Sequence, residues 1–336
     1  MDNITHSLTG LALARAGLNR FCPRATLLLV LSANAPDLDI VSLAGGPLKH
    51  LEYHRGYTHS FAGLPLMALL VVAVVAAIYR RQLSWRRAWL VCCIGVASHL
   101  ALDWTNAYGV RLLLPFSSRW LHADLTGLYD FSLMAVLLIA AVWPLLSRLV
   151  SSEMGARPPA GRGIAIFALA FFALFDCARA AFHARALAQL ESRLYEGLPP
   201  LTVAALPNPY SPFRWRGVVE TPNDYRLLEV HIFEELNEES GERIFKPATT
   251  ASLESAKRTE AFRYFLYFAR FPVWSEEPVP LEQGSGRRID LVDLRFGSPG
   301  MGSLHCIALE DYRNRVLGSW FTYGTGAQLG WGAQTK

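Results

Sequence analysis

Charged residues are scarce in this chain of 336 residues. Asp, Glu, Lys and Arg make up 18% of it, against about 25% in an average globular protein. The shortage lies in the first half: residues 1–181 contain 15 Lys/Arg and 9 Asp/Glu, whereas residues 182–336 contain 17 and 19. This uneven distribution excludes one uniform globule, a disordered chain and a coiled coil. The net charge of +4 is small and scattered, so we expect no nucleic-acid partner.

Cysteines are also few. The five cysteines form no CxxC pair, so we interpret them as small buried hydrophobes and expect neither a disulfide framework nor a cysteine metal site. The N-terminus has no basic region ahead of an apolar core, and we expect no cleaved signal peptide. Nothing in the sequence predicts an oligomeric state.

Long apolar runs fill the charge-poor half. A helix that crosses a bilayer needs about 20 mostly apolar residues, with about 17 as the lower limit. Two runs, 4–16 and 25–35, are too short to span alone and are predicted to form a helical hairpin. About four longer runs predict spanning helices, over residues 61–78, 88–102, 131–146 and 164–181.

Lys and Arg in the short loops predict the orientation of these helices. Ten of them lie at the tip of the hairpin and in the loops around 80–87 and 148–162, which we assign to the cytoplasm. Four lie in the opposite loops. The N-terminus, residues 36–60, the loop 104–130 and everything after residue 181 are then expected outside the cytoplasm of a cell inner-membrane protein.

Polar residues inside or beside apolar helices are costly, and four groups of them stand out. The first contains His6 at the start of the first helix, where it is either part of a polar cap or a metal ligand. The second is APDLD, in which Asp37 and Asp39 either end a helix or offer two oxygen ligands at a turn.

The other two groups carry most of the histidines. In HRGYTHS, His54 and His59 are metal-ligand candidates and Arg55 favours an anion such as phosphate, unless the segment is only a polar turn at the membrane surface. His99 and Asp103 are four residues apart, so they share one face of a helix. They are either zinc ligands or a local hydrogen-bonded pair that stabilises the helix.

All four groups fall at the extracytoplasmic end of the predicted helices. The orientation came from Lys and Arg alone, so this agreement is independent of the motifs. It predicts that the four groups converge on one ion-binding pocket. His50 is interpreted as a residue of a surface loop. His122, Asp124 and Asp130 lie on the same outer side and are interpreted as a solvated loop, with the lining of the site entrance as the alternative.

The motifs APDLD, HRGYTHS, SHLALDWTNAYG and RLLLPFSSRW, within about residues 1–145, together resemble a known family. It is the family of membrane-bound, metal-dependent hydrolases of unknown function typified by the LexA-regulated inner-membrane protein of enteric bacteria. The motif style is also similar to zinc-dependent phospholipase C, whose zinc site includes a His-x-x-x-Asp pair that His99 and Asp103 match. The other ligands that this resemblance implies are His6, Asp37, His54 and His59. No His-x-x-x-Glu pair follows His99, which favours one or two metals over three.

The predicted function is a membrane-embedded hydrolase in which a metal-activated water cleaves a phosphoester or other ester of a lipid or lipid-linked substrate. The expected ion is zinc, with manganese as an alternative. Asp37 or Asp39 would complete the shell of a second ion or act as general base, and Arg55 would stabilise charge on the phosphoester. A non-catalytic metal-binding membrane protein or a transporter stays open as the alternative.

The expected fold class is a multi-pass α-helical membrane domain, residues 1–181, followed by a small α+β soluble domain, residues 213–336, outside the cytoplasm. Between them, residues 182–212 are predicted to hold a helix tail and a Pro-rich linker or edge strand. Alternating polarity predicts strands over 214–220, 225–233, 288–296, 303–310 and 315–323, and apolar spacing predicts a helix over 253–271.

Overall fold

The computed structural model describes residues 1–79, 83–155, 161–281, 284–299 and 302–324. Its N-terminal half is helical. The α-helices are α1 Asn3–Ala16, α2 Ala25–Ser32, α3 Pro47–Tyr53, α4 Leu64–Tyr79, α5 Trp85–Trp104, α6 Phe131–Glu153 and α7 Arg162–Glu191. Segments of 3₁₀ helix cover Leu18–Arg20, Ala35–Gly45 and Tyr57–His59.

The close packing of α2 against α5 determines the position of His99. Leu28 of α2 is buried in one core with Val72 of α4 and Val96 of α5. Gly95 lets the helices approach closely, since a Cβ atom there would lie 2.0 Å from Ser32 Oγ. His99 follows one turn later on α5 and is therefore brought against the end of α2.

Two helices, α6 and α7, are long and apolar enough to cross a membrane. The bent pairs Ala25–Ser32 with Ala35–Gly45 and Pro47–His59 with Leu64–Tyr79 raise the number to four if each pair is one span. Among the described residues, α5, which contains the predicted span 88–102, is not one of these candidates. The described part of the helical half thus has two to four candidate spans. Three residues used for the predicted orientation, Arg80, Arg81 and Arg157, lie outside the described residues.

In its described residues, the C-terminal half contains two four-stranded antiparallel sheets, each with its strands in sequence order. The first sheet contains β1 Thr202–Pro207, β2 Arg214–Glu220, β3 Asp224–His231 and β4 Glu242–Phe245. The second contains β5 Pro272–Leu281, β6 Gly284–Asp293, β7 Leu304–Asp311 and β8 Val316–Tyr323. Between the sheets, α8 Ala251–Lys257 and α9 Glu260–Phe268 follow each other.

The structure contains a strand at each predicted strand position, and β2 has the predicted bounds. Within 182–212 it forms the end of α7 and then β1, an edge strand, which was one of the two alternatives. The single helix predicted over 253–271 is wrong. Two helices form instead, because Thr259 caps the second with its side chain, which accepts a hydrogen bond from the backbone N–H of Phe262.

Both sheets pack against the helical half. Leu190 of α7 is buried with Trp215 of the first sheet. Phe268 of α9 packs on Tyr108 of the loop 104–130, with ring centroids 4.9 Å apart. Arg295, next to the second sheet, is buried and donates a hydrogen bond to the carbonyl of Tyr108 over 3.2 Å. The C-terminal domain therefore lies directly on the loop that follows α5.

The side chain of Glu310 on β7 is buried, and neither of its carboxylate oxygens has a hydrogen-bond partner among the described residues. Burial raises its pKa from the usual 4.5 to about 6. Because the folded state disfavours the ionised form, the protein loses stability as the pH rises through this range. We expect Glu310→Gln to remove this loss, so that the Tm of the variant exceeds that of the wild type at about pH 8 by more than at about pH 4. The same Tm difference between variant and wild type at both pH values would contradict the argument.

Candidate metal centre

Four side chains from three separate segments meet below the C-terminal domain. The Nε2 atoms of His59 and His99 are 3.0 Å apart. Asp37 Oδ1 lies 3.4 Å from His59 Nε2 and 3.6 Å from His99 Nε2. Asp103 Oδ2 lies 3.4 and 3.5 Å from the same two atoms. With bonds of about 2.0–2.1 Å, a tetrahedral zinc site spaces its ligand atoms about 3.3 Å apart, so these atoms have the spacing of a four-ligand site.

Hydrogen bonds on the far side of each imidazole orient the two rings. His99 Nδ1 lies 2.7 Å from the carbonyl oxygen of Ala33, to which it donates. His59 Nδ1 lies 3.2 Å from Asp39 Oδ2 and 2.9 Å from Thr58 Oγ1. With the proton on Nδ1, each Nε2 turns its lone pair toward the centre. Outer partners of this kind are characteristic of metal-binding histidines.

A second group of possible ligands adjoins the first. It consists of Asp37, Asp39 and His54, whose ligand atoms all lie within 4.8 Å of one another. His54 Nδ1 is 2.8 Å from Asp39 Oδ1, and the His54 ring stacks on His50 with centroids 4.7 Å apart. Asp37 belongs to both groups.

Asp39 holds the HRGYTHS segment together. Its Oδ1 accepts from His54, as above, and its Oδ2 accepts from the backbone N–H of Arg55 over 3.1 Å and from Thr58 Oγ1 over 3.0 Å. The same Oδ2 faces His59 Nδ1. Both oxygens are thus engaged by the segment, so Asp39 positions the histidines.

The other oxygen of Asp103, Oδ1, faces a separate set of groups. Arg55 Nη2 lies 3.2 Å away and His6 Nε2 lies 3.5 Å away, and the amino group of Met1 also contacts it. The His6 ring stacks on His99 with centroids 3.8 Å apart. Although His6 is fully buried, neither of its nitrogens has a hydrogen-bond partner among the described residues. Since such groups are rare in folded proteins, this favours a ligand beside His6.

The corner between the 3₁₀ helix Tyr57–His59 and α4 fixes the position of His59. Ser60 Oγ accepts from the backbone N–H of Gly63 over 2.9 Å. A Cβ atom at Gly63 would lie 1.9 Å from the carbonyl oxygen of Tyr57, so only glycine fits. The chain bends by 87° here. His59 consequently sits at the inner corner of the bend.

Burial shows where the centre opens. His59, His99 and Asp103 are almost completely buried. The side chains of Asp37 and His54 are 16% and 21% exposed. A substrate would therefore approach from the side of Asp37 and His54.

The structure brings all the predicted site residues together. The six predicted ligands, with Asp39 and Arg55, form one cluster. His6 is in neither of the two ligand groups, but it contacts Asp103, which is in the first. The sequence reasoning missed Thr58, although it lies inside HRGYTHS, and the carbonyl of Ala33, which no side-chain pattern reveals. The exposed position predicted for His50 is wrong, since it is 8% exposed and packs on His54.

The solvated positions predicted for Asp130 and Asp124 are also wrong. Asp130 is buried and caps α6, its side chain accepting a hydrogen bond from the backbone N–H of Leu133. The carboxylate of Asp124 is buried and accepts hydrogen bonds from Arg270 of the C-terminal domain over 2.8 and 3.0 Å. Burial alone would raise the pKa of Asp124, but the hydrogen bond with His122 and the charge of Arg270 outweigh it and lower the pKa. This ion pair attaches the loop after α5 to the domain above it.

Fold and site together define the chain as a helical protein with apolar candidate spans and a buried His/Asp cluster of metal-binding geometry. The model of the YdjM inner membrane protein family matches residues 1–186, more than half of the chain. The chain belongs to this family and is therefore a membrane protein, which confirms the inner-membrane family that the motifs resemble; the hydrolase activity expected from that resemblance stays a prediction. All the predicted site residues lie inside the matched region.

A relative covers nearly the whole chain. The uncharacterized protein YfhP of Bacillus subtilis (strain 168) is 24% identical over 315 residues, which are 89% of this chain and 88% of YfhP. No solved structure matches the chain.

Proposed function

We propose that this protein is a multi-pass membrane hydrolase that cleaves a phosphoester or other ester of a lipid or lipid-linked substrate with a metal-activated water. The observation that carries the proposal is the close approach of four ligand atoms, from His59, His99, Asp37 and Asp103: the two Nε2 atoms are 3.0 Å apart, and each lies 3.4–3.6 Å from a carboxylate oxygen of both aspartates. We place the centre and the C-terminal domain on the extracytoplasmic side, as the loop charges predict.

The donor set fits a divalent metal. Two neutral imidazoles and two carboxylates suit zinc, and the carboxylate share also suits manganese. His59, His99, Asp37 and Asp103 would hold a first ion, and Asp37, Asp39 and His54 a second. His6, whose nitrogens have no hydrogen-bond partner among the described residues, would be a further ligand. A bound ion of this kind lowers the pKa of a coordinated water toward about 7.

The remaining chemistry falls to residues of the chain itself. Arg55 is buried beside Asp103, and its Nε has no hydrogen-bond partner among the described residues, so this donor is left for an anionic oxygen. Asp37 is the most exposed acid of the centre, and when only the first ion is bound, through its Oδ1, we assign its other oxygen to accept a proton from the attacking water. In that one-ion state Asp39 is a positioning residue, because its oxygens hold His54 and His59.

A lipid substrate is supported by the membrane family and by a cleft next to the centre. The cleft has a volume of about 340 Å³, and its lining includes Tyr108, Leu128, Tyr129, Phe131, Leu206 and Tyr210. The ring of Tyr108 separates it from Arg55, whose guanidinium carbon is 4.8 Å from the ring centroid. Such a cleft suits a hydrocarbon chain.

The function is tested by a hydrolysis screen on the purified full chain in detergent. We expect release of product from a lipid phosphoester or a soluble phosphodiester with zinc or manganese present, loss of release with chelator, and recovery when metal is returned. Metal binding without hydrolysis of any phosphoester, carboxylic ester or amide would favour the non-catalytic or transport alternative.

Metal removal should also change stability. Without an ion, the carboxylates of Asp37 and Asp103 face each other across a buried site, which disfavours the folded state. An ion at 100 times its Kd stabilises a protein by about 2.7 kcal/mol. We therefore expect zinc to raise the Tm of the chelated wild type and to raise that of His59→Ala much less. An equal Tm with and without zinc in the wild type would contradict metal binding.

A further inference from the structure

The 3₁₀ helix Ala35–Gly45 has two different faces. Asp37 and Asp39 point into the candidate metal centre. Between and after them, large apolar side chains point outward. Leu38, Ile40, Val41 and Leu43 are 52%, 54%, 74% and 44% exposed. Adjacent residues thus alternate between the ion-binding cluster and an open apolar surface.

The HRGYTHS segment repeats this arrangement. Tyr53 and Tyr57 flank His54, and Phe61 follows His59 by two residues; all three aromatic side chains are more than half exposed. Because Asp37 and His54 are the partly exposed members of the centre, exposed apolar groups border its opening. We call this surface, made of Leu38, Ile40, Val41, Leu43, Tyr53, Tyr57 and Phe61, the apolar rim.

The bend before α4 gives the rim an orientation. Residues Pro47–His59 lie at 87° to Leu64–Tyr79, which is uniformly apolar. If α4 stands along the bilayer normal, Pro47–His59 lies in the plane of the membrane surface. Ser60 and Gly63 hold this corner rigidly, as described above.

The rim suits lipid better than a protein partner. Within residues 25–48 the only charged side chains are Asp37 and Asp39, and both face the centre. The rim is continuous with apolar helices at both ends, α2 on one side and α4 on the other. It combines aliphatic side chains with tyrosines, the aromatic residues that concentrate at the membrane–water interface.

We propose that Ala35–Gly45 and Pro47–His59 do not cross the bilayer but form a re-entrant platform in its surface, with the apolar rim in contact with lipid. The centre then opens sideways at the depth of the lipid headgroups. A membrane lipid reaches it by lateral diffusion, without leaving the bilayer. The insertion of the platform is argued only from the geometry described above. The lateral entry of a substrate depends in addition on the proposed hydrolase function.

Insertion is tested without turnover by a fluorescent probe. Val41→Cys is labelled with an environment-sensitive dye in a Cys93→Ser, Cys177→Ser background, which leaves Cys22, Cys92 and Cys306, all buried. The full chain is reconstituted in phosphatidylcholine–phosphatidylglycerol vesicles that contain no brominated lipid, lipids brominated near the headgroup, or lipids brominated at the chain ends. The control carries the dye at Tyr312→Cys, a 68% exposed position of the C-terminal domain.

We expect blue-shifted emission and strong quenching for the probe at position 41, and neither for the probe at 312. Quenching of the 41 probe only by lipids brominated at the chain ends would indicate a full span and overturn the re-entrant platform. Absence of quenching for the probe at position 41 would show that the rim does not contact lipid, and it would also overturn the proposal. None of these readouts depends on metal or hydrolysis, so their failure is separate from failure of the proposed function.

Lateral entry is tested by Val41→Glu, with Phe245→Glu as the matched control on an exposed strand far from the rim. We expect Val41→Glu to lower hydrolysis of a vesicle-borne lipid ester much more than hydrolysis of a short-chain soluble ester, with metal content retained. Equal effects on the two substrates would contradict lateral entry.

Discussion

Replacing His59 by Ala is expected to remove most of the bound metal and nearly all hydrolysis. His59 Nε2 lies 3.0–3.4 Å from the donor atoms of His99, Asp37 and Asp103, so it forms a corner of the four-ligand set. Loss of even an outer partner of a metal ligand costs about 10–100-fold in affinity or activity, and loss of a ligand should exceed that. Metal content by mass spectrometry and hydrolysis rate are measured on the same preparation.

The matched control is His231→Ala. This histidine lies at the end of β3, is partly exposed and pairs with Glu234, far from the centre in the C-terminal domain. We expect wild-type metal content and rate for this variant. If His59→Ala keeps full metal and full activity, the four-ligand set is not the metal site.

Replacing Asp103 by Asn is expected to lower hydrolysis at limiting metal by at least about 100-fold. The amide keeps the size of the carboxylate but loses its charge, and Oδ2 no longer offers an anionic ligand beside His59 and His99. Oδ1 also loses its ion pair with the buried guanidinium of Arg55, which is left without a counter-charge. We therefore expect a lower Tm as well as a lower rate.

Asp290→Asn provides the control for a His–Asp pair of similar geometry outside the centre. Asp290 Oδ1 lies 2.8 Å from His305 Nδ1 in the second sheet. This variant should change stability without changing metal content. A normal rate for Asp103→Asn at limiting metal would show that its carboxylate is neither a ligand nor a necessary partner of Arg55.

The convergence of the site could be predicted from the sequence because two independent patterns agreed. Loop Lys and Arg predicted which helix ends share a side, and the four-residue spacing placed His99 and Asp103 on one helix face. The contacts that orient the rings could not be predicted. Thr58 meets Asp39 only because the folded chain brings together segments 19 residues apart, and Ala33 meets His99 only through the packing of α2 on α5.

The strands that sequence reasoning did not predict clearly share a physical property. β1, β4 and β5 are all edge strands of their sheets. β5 contains Pro272, Pro278 and Pro280, which an edge tolerates because the missing N–H donor faces away from the neighbouring strand. β4 has only four residues, none of them buried. Edge strands need little alternation of polarity, and that alternation was the signal used for the others.

The misinterpreted loop residues have a different cause. His50 and Asp124 lie in polar segments that look solvated when only their neighbours in sequence are considered. The C-terminal domain covers both: the His50 ring is 6.0 Å from that of Tyr323 on β8, and Asp124 pairs with Arg270. Burial by a domain that is distant in sequence cannot be predicted from local pattern.

The central claim is that His and Asp residues far apart in sequence hold a metal ion in this membrane protein. Its most direct test is the metal content of the purified wild-type chain, measured by mass spectrometry after incubation with zinc and removal of free ions. The account predicts one or two tightly held ions per chain, and a sharp reduction in His99→Ala. A folded wild-type chain that retains no zinc or manganese under these conditions would contradict it.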